Sequence, residues 1–206
     1  MKMKRSVFFF FFMALGISVF AQLDIKPAVG INISRFDSKP VFGTDTLSTD
    51  SRAGYQVGAS VAIGRKLYIE PGIFYINRNQ GFTSQDIEIE NPKFTYNANY
   101  LRIPLNVGFQ FIGSTTSFAG LKIFVGPSMY IPLSVKENDY PITKDDVKSP
   151  EFDFSVGAGI NIWLLFLDVS YGWDMTQQFK NDPITAKMQG FNANLGFRFR
   201  IKKDEE

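Results

Sequence analysis

The sequence predicts an all-β protein, an eight-stranded antiparallel up-and-down transmembrane β-barrel. Three observations lead there. After Ala21 apolar and polar residues alternate with a period of two, the mark of strands with two unlike faces. Hydrophobic residues make up 45 % of the 206, yet mean hydropathy is only −0.05. That combination excludes a helical membrane bundle, which needs apolar runs of about 20 residues. Glycines recur on the polar side of each segment, where a narrow barrel interior needs small residues.

The first residues have the form of a secretory signal. Lys2, Lys4 and Arg5 precede an apolar stretch from Val7 to Phe20, and Val19-Phe20-Ala21 offers a cleavage site. The expected organisation is a signal peptide over 1–21 and a barrel domain over 22–206. Removing the signal leaves 19 basic against 20 acidic residues, so no basic surface for nucleic acid is expected.

Eight segments follow. Leu23, Ile25, Val29, Ile31 and Ile33 alternate with Asp24, Lys26, Gly30, Asn32 and Ser34. Tyr55 to Ile63 alternates around Gln56, Gly58 and Ser60. Leu67 to Asn77 places Tyr68, Glu70 and Gly72 opposite Leu67, Ile69 and Ile73. Tyr100 to Phe111 sets Arg102, Asn106, Gly108 and Gln110 against Leu101, Ile103, Leu105, Val107 and Phe109. Leu121 to Leu133 carries Lys122, Gly126, Ser128 and Tyr130 on its polar side. Phe152 to Trp163 carries Asp153, Ser155, Gly157, Gly159 and Asn161. Phe166 to Thr176 carries Asp168, Ser170, Gly172 and Asp174. Phe191 to Ile201 carries Asn192, Asn194, Gly196, Arg198 and Arg200. These lengths suit tilted membrane-crossing strands of about 9–11 residues.

Connections alternate long and short. Arg35–Gly54, Asn79–Asn99, Ser134–Glu151 and Gln177–Gly190 are the long ones. Gly64–Lys66 and the turn at Leu164 are short, and Ile112–Gly120 is intermediate. Outer-membrane barrels keep their short turns on the periplasmic side, which places both termini there. Ile87 and Ile89, alternating with Asp86, Glu88 and Glu90, suggest that the third and fourth strands extend as a hairpin beyond the membrane.

A membrane barrel turns its polar face inward and its apolar face to lipid. The polar faces carry Asp24, Glu70, Asp153, Asp168 and Asp174 against Lys26, Arg102, Lys122, Arg198 and Arg200. This balanced set is the expected lumen network, since buried charges must be paired. Tyr55, Tyr75, Phe152, Trp173 and Phe191 are expected near one membrane interface, and Phe109, Phe111, Trp163 and Phe199 near the other. Pro71, Pro104 and Pro127 fall inside strands, where bulges are expected to absorb them.

Glu70-Pro71-Gly72-Ile73-Phe74-Tyr75, Tyr100-Leu101-Arg102-Ile103-Pro104-Leu105 and Val125-Gly126-Pro127-Ser128-Met129-Tyr130 form a recurring look, continued by Gly157-Ala158-Gly159 and Tyr171-Gly172. On these stretches the chain resembles the PorT-like outer-membrane β-barrel family of the Bacteroidota, over almost the whole of 22–206. The resemblance implies the barrel fold and an outer-membrane location, and it brings no catalytic motif. Some members of that family take part in type IX protein secretion. The ending Lys202 to Glu206 departs from the terminal aromatic residue common in outer-membrane proteins.

The chain has no histidine and no cysteine. Imidazole-based nucleophile pairs and His-ligated metals are therefore excluded. Asp168 and Asp174 share a face but lie about 20 Å apart along a strand, too far for a catalytic pair. Asp145-Asp146 and the Asp86, Glu88, Glu90 group read as solvated loop charge rather than a calcium site. The expectation is no catalytic, cofactor or metal site and no enzyme activity. The expected partners are the lipid bilayer and other envelope or secretion proteins. The expected role is structural, assembly or partner anchoring. The alternative is a surface binding module, for which Phe36, Val41, Phe42, Phe82, Phe94 and Tyr96 offer apolar loop contacts.

Overall fold

The computed structural model describes residues 22–36, 41–42, 45–84, 93–113, 118–135, 149–175 and 188–201. Every regular element among them is a β-strand. The strands are β1 (Leu23–Phe36), β2 (Val41–Phe42), β3 (Asp45–Gly64), β4 (Leu67–Ser84) and β5 (Lys93–Ile112). They continue with β6 (Ala119–Val135), β7 (Glu151–Ile162), β8 (Leu165–Asp174), β9 (Met188–Phe197) and β10 (Phe199–Ile201).

Each barrel strand pairs antiparallel with the next, from β3 round to β9. β1 closes the wall by pairing β3 on one side, from Leu23↔Ile63 to Ser34↔Arg52, and β9 on the other, from Ala28↔Gly196 to Phe36↔Met188. β10 continues β9 along the same register, with Leu23↔Ile201. The result is a closed, eight-stranded, up-and-down antiparallel barrel, with β2 a short addition on β3. Closure leaves no free sheet edge around the wall. Both described termini and the turns after β3, β5 and β7 lie at one end, the turn end. The longer connections lie at the other, the loop end.

The period of two survives folding. Inward positions are even-numbered on every barrel strand except β7, where they are odd, and the two faces differ in burial accordingly. Large apolar residues such as Val29, Ile73, Val107, Val125 and Leu195 face outward and stay exposed, while Asp24, Lys26, Glu70, Arg102 and Lys122 are buried. A water-soluble barrel would have these faces reversed.

Two expectations about the strands need correction. β3, β4 and β5 run far beyond the bounds read from alternation, so much of the Arg35–Gly54 and Asn79–Asn99 connections is strand. Ladder pairing continues there to Leu47↔Ser84 and Thr83↔Lys93. The sequence there mixes polar and apolar residues without a period of two, so alternation does not mark these extensions. Phe36 ends β1, Val41 and Phe42 form β2, Phe82 lies in β4, and Phe94 and Tyr96 lie in β5, so all six belong to strands rather than loops; their side chains lie outside the described residues, as do residues 1–21, 37–40, 43–44, 85–92, 114–117, 136–148, 176–187 and 202–206.

The second correction concerns proline. No bulge forms at Pro71, Pro104 or Pro127; the register shifts fall between Ser51 and Gln56, Asn99 and Tyr100, and Gln110 and Ile112. Each proline keeps its pairing on one side, as Pro71↔Leu105, Pro104↔Ser128 and Pro127↔Phe154. The ladder lapses only on the other side and resumes in the same register. In an antiparallel sheet one residue directs its N–H to a single neighbour, so a missing N–H interrupts one ladder and spares the other. The break between β9 and β10 has the same setting, since Phe197 stands opposite Pro27 in the β1 register.

Candidate functional site

The lumen holds three layers of charge. At its centre Lys26 Nζ lies 2.7 Å from Glu70 Oε1 and 3.0 Å from Asp168 Oδ2. Lys122 Nζ lies 2.7 Å from the Asp168 carboxylate and 4.0 Å from Glu70 Oε2. Ser60 Oγ donates to Glu70 Oε1 at 2.6 Å. The four charges come from β1, β4, β6 and β8, with one strand between each pair of neighbours. They span the full section of the tube and sum to zero. Lys26 Nζ also sits 4.2 Å from the centre of the Phe166 ring, a favourable placement for a cation.

The intervening strands supply the space. Tyr68 stands opposite Gly108, Phe74 opposite Gly58, Phe124 opposite Gly157 and Phe166 opposite Gly196. A Cβ at Gly108 or Gly157 would enter the ring it faces, and one at Gly159 would enter Asp168 and Lys122. Large side chains on β4, β6 and β8 thus lie over glycines on β3, β5, β7 and β9. A tube this narrow is filled by alternating large and small residues.

Toward the turn end, Asp24 Oδ1 accepts from Arg200 Nε at 3.3 Å, and Arg198 Nε lies 3.9 Å from Asp24 Oδ2. Arg198 Nη2 donates to the Trp163 carbonyl at 3.1 Å. Toward the loop end, the Arg78 guanidinium lies 4.0 Å from the Tyr130 ring centre and 5.2 Å from that of Tyr100. Its Nη1 is 3.6 Å from Glu151 Oε2. Tyr130 Oη donates to Asp153 Oδ2 at 2.7 Å, and Arg102 donates to Ser128 Oγ from Nε and Nη2 at 3.3 and 3.2 Å.

Of the ten residues expected in the lumen, Asp24, Lys26, Glu70, Arg102, Lys122, Asp153, Asp168, Asp174 and Arg198 are buried in it. Arg200 is half-buried at the turn end. Lys26 and Lys122 pair with Glu70 and Asp168, and Arg198 and Arg200 with Asp24, in the two groups just described. Arg102 and Asp153 share Tyr130 as a neighbour instead of touching, and Asp174 stands opposite Asp153 in the β7–β8 register. Arg78 and Glu151 are also buried in the lumen, although alternation ends the third segment at Asn77 and leaves Glu151 in a connection. Their parity matches Glu70 and Asp153, and that signal was available in the sequence.

Among the described residues, small cavities interrupt the packing, three of them beside the charged layers. One of about 20 Å³, between the turn-end layer and the quartet, is lined by Asp24, Lys26, Tyr68, Glu70, Lys122 and Arg198 among others. One of about 30 Å³, on the other side of the quartet, is lined by Glu70, Phe74, Arg102, Asn106, Phe166 and Asp168 among others. The third, of about 10 Å³, touches Arg78, Tyr130, Asp153 and Asp174. A water needs about 10–15 Å³ on this measure, so each has room for one to three waters and none is a channel.

The outer wall marks its own polar boundary. Tyr55 and Tyr75 adjoin at 6.4 Å between ring centres, and Tyr171 and Trp173 at 4.9 Å. Beyond Tyr75 the outward positions of β4 and β5 become asparagine, in the cross-strand pairs Asn77↔Asn99 and Asn79↔Asn97. Asn77 Nδ2 donates to Asn97 Oδ1 at 2.8 Å and Asn99 Oδ1 at 2.7 Å. Asn99 Nδ2 reaches Ser134 Oγ at 3.0 Å, and Asn79 Nδ2 reaches the Ala53 carbonyl at 3.1 Å. A band of amides so joins β3 to β6 above the apolar wall. Phe152 and Phe191 also face outward toward the loop end, and Phe109, Phe111, Trp163 and Phe199 toward the turn end.

An apolar exterior around a charged, plugged interior defines a membrane-embedded β-barrel. Residues 20–203 match the family described as outer membrane protein beta-barrel domain, and the chain belongs to that family. The outer membrane protein OprG from Pseudomonas aeruginosa shares the fold, with a TM-score of 0.53 at 10 % identity, over 88 % of this chain and 97 % of that one. Ail, the attachment invasion locus protein of Yersinia pestis, gives a TM-score of 0.43 at 11 % identity, over 87 % and 97 % of the two chains. No curated protein matches the chain. The protein is an outer-membrane β-barrel.

Proposed function

We propose that this protein is a non-enzymatic, PorT-like barrel that serves as a structural, assembly or anchoring component of the outer membrane rather than as a general pore. The observation that supports this reading is the lumen itself, crossed by neutralised ion pairs and left with cavities of about 10–30 Å³. A solute pore needs an open aqueous bore, which eight strands do not enclose. In this reading residues 1–21 are a cleaved signal, both termini face the periplasm, and the loop end faces outward. Envelope or protein-secretion components are the partners it would hold. Extraction in mild detergent through an affinity tag tests the proposal. A stable complex with envelope or secretion proteins is the expected result. Recovery of the barrel alone, with sugar uptake by vesicles that contain it, overturns it.

One observation favours a second reading, a surface binding module. β3, β4 and β5 stay paired beyond the asparagine band, to Leu47, Ser84 and Lys93, so a sheet rises past the membrane boundary at the loop end. Binding of added ligand to whole cells, lost when 85–92 is replaced by a short turn, would support this reading over the first.

A further inference from the structure

We propose that the Lys26–Glu70–Lys122–Asp168 quartet is the gate of an ion path through the barrel. The quartet separates two cavities that it also lines. Lys26 and Lys122 face the turn-end cavity, Asp168 faces the loop-end cavity, and Glu70 borders both. Buried polar atoms without a protein partner line these spaces: Tyr68 Oη, Asn161 Oδ1 and Arg198 Nη1 on the turn side, and Asn106 Oδ1 on the loop side. Buried polar groups are ordinarily satisfied, and such spaces favour water. Two hydratable compartments therefore meet at one barrier of four side chains.

The barrier is built to be broken in parts. Each ammonium lies within 4.0 Å of both carboxylates. If one lysine swings aside on its flexible stem, the other still neighbours Glu70 and Asp168. The cost of opening is then less than that of stranding an isolated buried charge. The closed wall need not change, because the hydrogen-bonded ladders do not pass through these side chains. A plug serving closure alone would be made as well by apolar residues.

Charge swaps test the gate in the refolded full barrel in planar lipid bilayers. Lys122→Asp gives the quartet a net charge of −2, and Asp168→Lys gives it +2. Each single variant is expected to raise the open fraction about tenfold or more over the starting protein. The reversal potential in a salt gradient should shift toward cations for the first and toward anions for the second. The double variant restores neutrality and should return the open fraction to the starting level. Folding is read separately from the heat-dependent gel shift of the barrel; Lys122→Gln, with a net charge of −1, replaces the first swap if it does not insert, and Asp168→Asn, with +1, replaces the second. Folded single variants that stay as tight as the starting protein overturn the proposal. Conduction without opposite selectivity overturns it as well, because the ions would then be passing elsewhere.

Discussion

Lys26 on β1 and Glu70 on β4 are 44 residues apart in sequence and bring Nζ and Oε1 to 2.7 Å across the lumen, with β3 between their strands. The contact joins parts of the wall that no ladder joins directly. Both groups are buried, so each depends on the other and on Asp168 and Lys122 for its charge to be tolerated.

Lys26→Met should therefore destabilise the barrel, by less than the about 3–5 kcal/mol that an uncompensated buried charge costs, because the two carboxylates then share Lys122. Replacing all four quartet residues by methionine should be close to neutral or stabilising, since no buried charge is left unpaired. Urea unfolding in lipid vesicles, followed through Trp163 and Trp173 fluorescence, measures both. A single variant as stable as the quadruple one would contradict the coupling.

Gly108→Val should cost about 1–3 kcal/mol through overpacking against the Tyr68 ring. Tyr68→Ser should recover part of that loss. A double-mutant cycle on the same unfolding curves gives the coupling energy, expected at about 0.5 kcal/mol or more. Strict additivity would show that ring and glycine do not share the space.

Nitroxides along the wall should locate the membrane boundary. A label at Val107, which is 46 % exposed and faces outward, should collide with oxygen dissolved in the acyl chains. A label at Asn106, on the inner face, should not. Labels at Asn97 and Asn79 should respond to a water-soluble nickel complex, because they stand past Tyr75 in the amide band. Water contact at Val107 with lipid contact at Asn106 would reverse the two faces and reject the barrel's orientation.

Asn77→Ala should cost about 1–3 kcal/mol, although the residue points outward. It is only 3 % exposed, and its loss removes the hydrogen bonds that its Nδ2 donates to Asn97 and Asn99. The effect should appear as weaker hydrogen-exchange protection in β4 and β5 near this level, with β7 and β8 unchanged. Equal loss of protection around the whole wall would contradict a local role.

Alternation by itself determined the all-β class, the number of barrel strands and which side of each strand faces lipid. A side-chain period of two is a property of the local backbone and needs no partner to be seen. The glycines announced a crowded interior for the same reason. Where the period fades, the extensions of β3, β4 and β5 and the inward places of Arg78 and Glu151 are not legible by alternation alone. The prolines misled in another way: a bulge was the local answer, while the folded sheet drops one ladder and keeps the other.

Which charges meet depends on how the barrel closes. The ten expected lumen residues formed a balanced set on paper, but nothing in their spacing paired Lys26 with Asp168, 142 positions away. That pairing follows from barrel closure and strand stagger, which bring alternate strands to one level of the axis. The same closure placed Tyr68 over Gly108 and left two small cavities on either side of a single ionic layer. Local chemistry selects the face of a strand, whereas the neighbours across a lumen are chosen by the geometry of the whole ring.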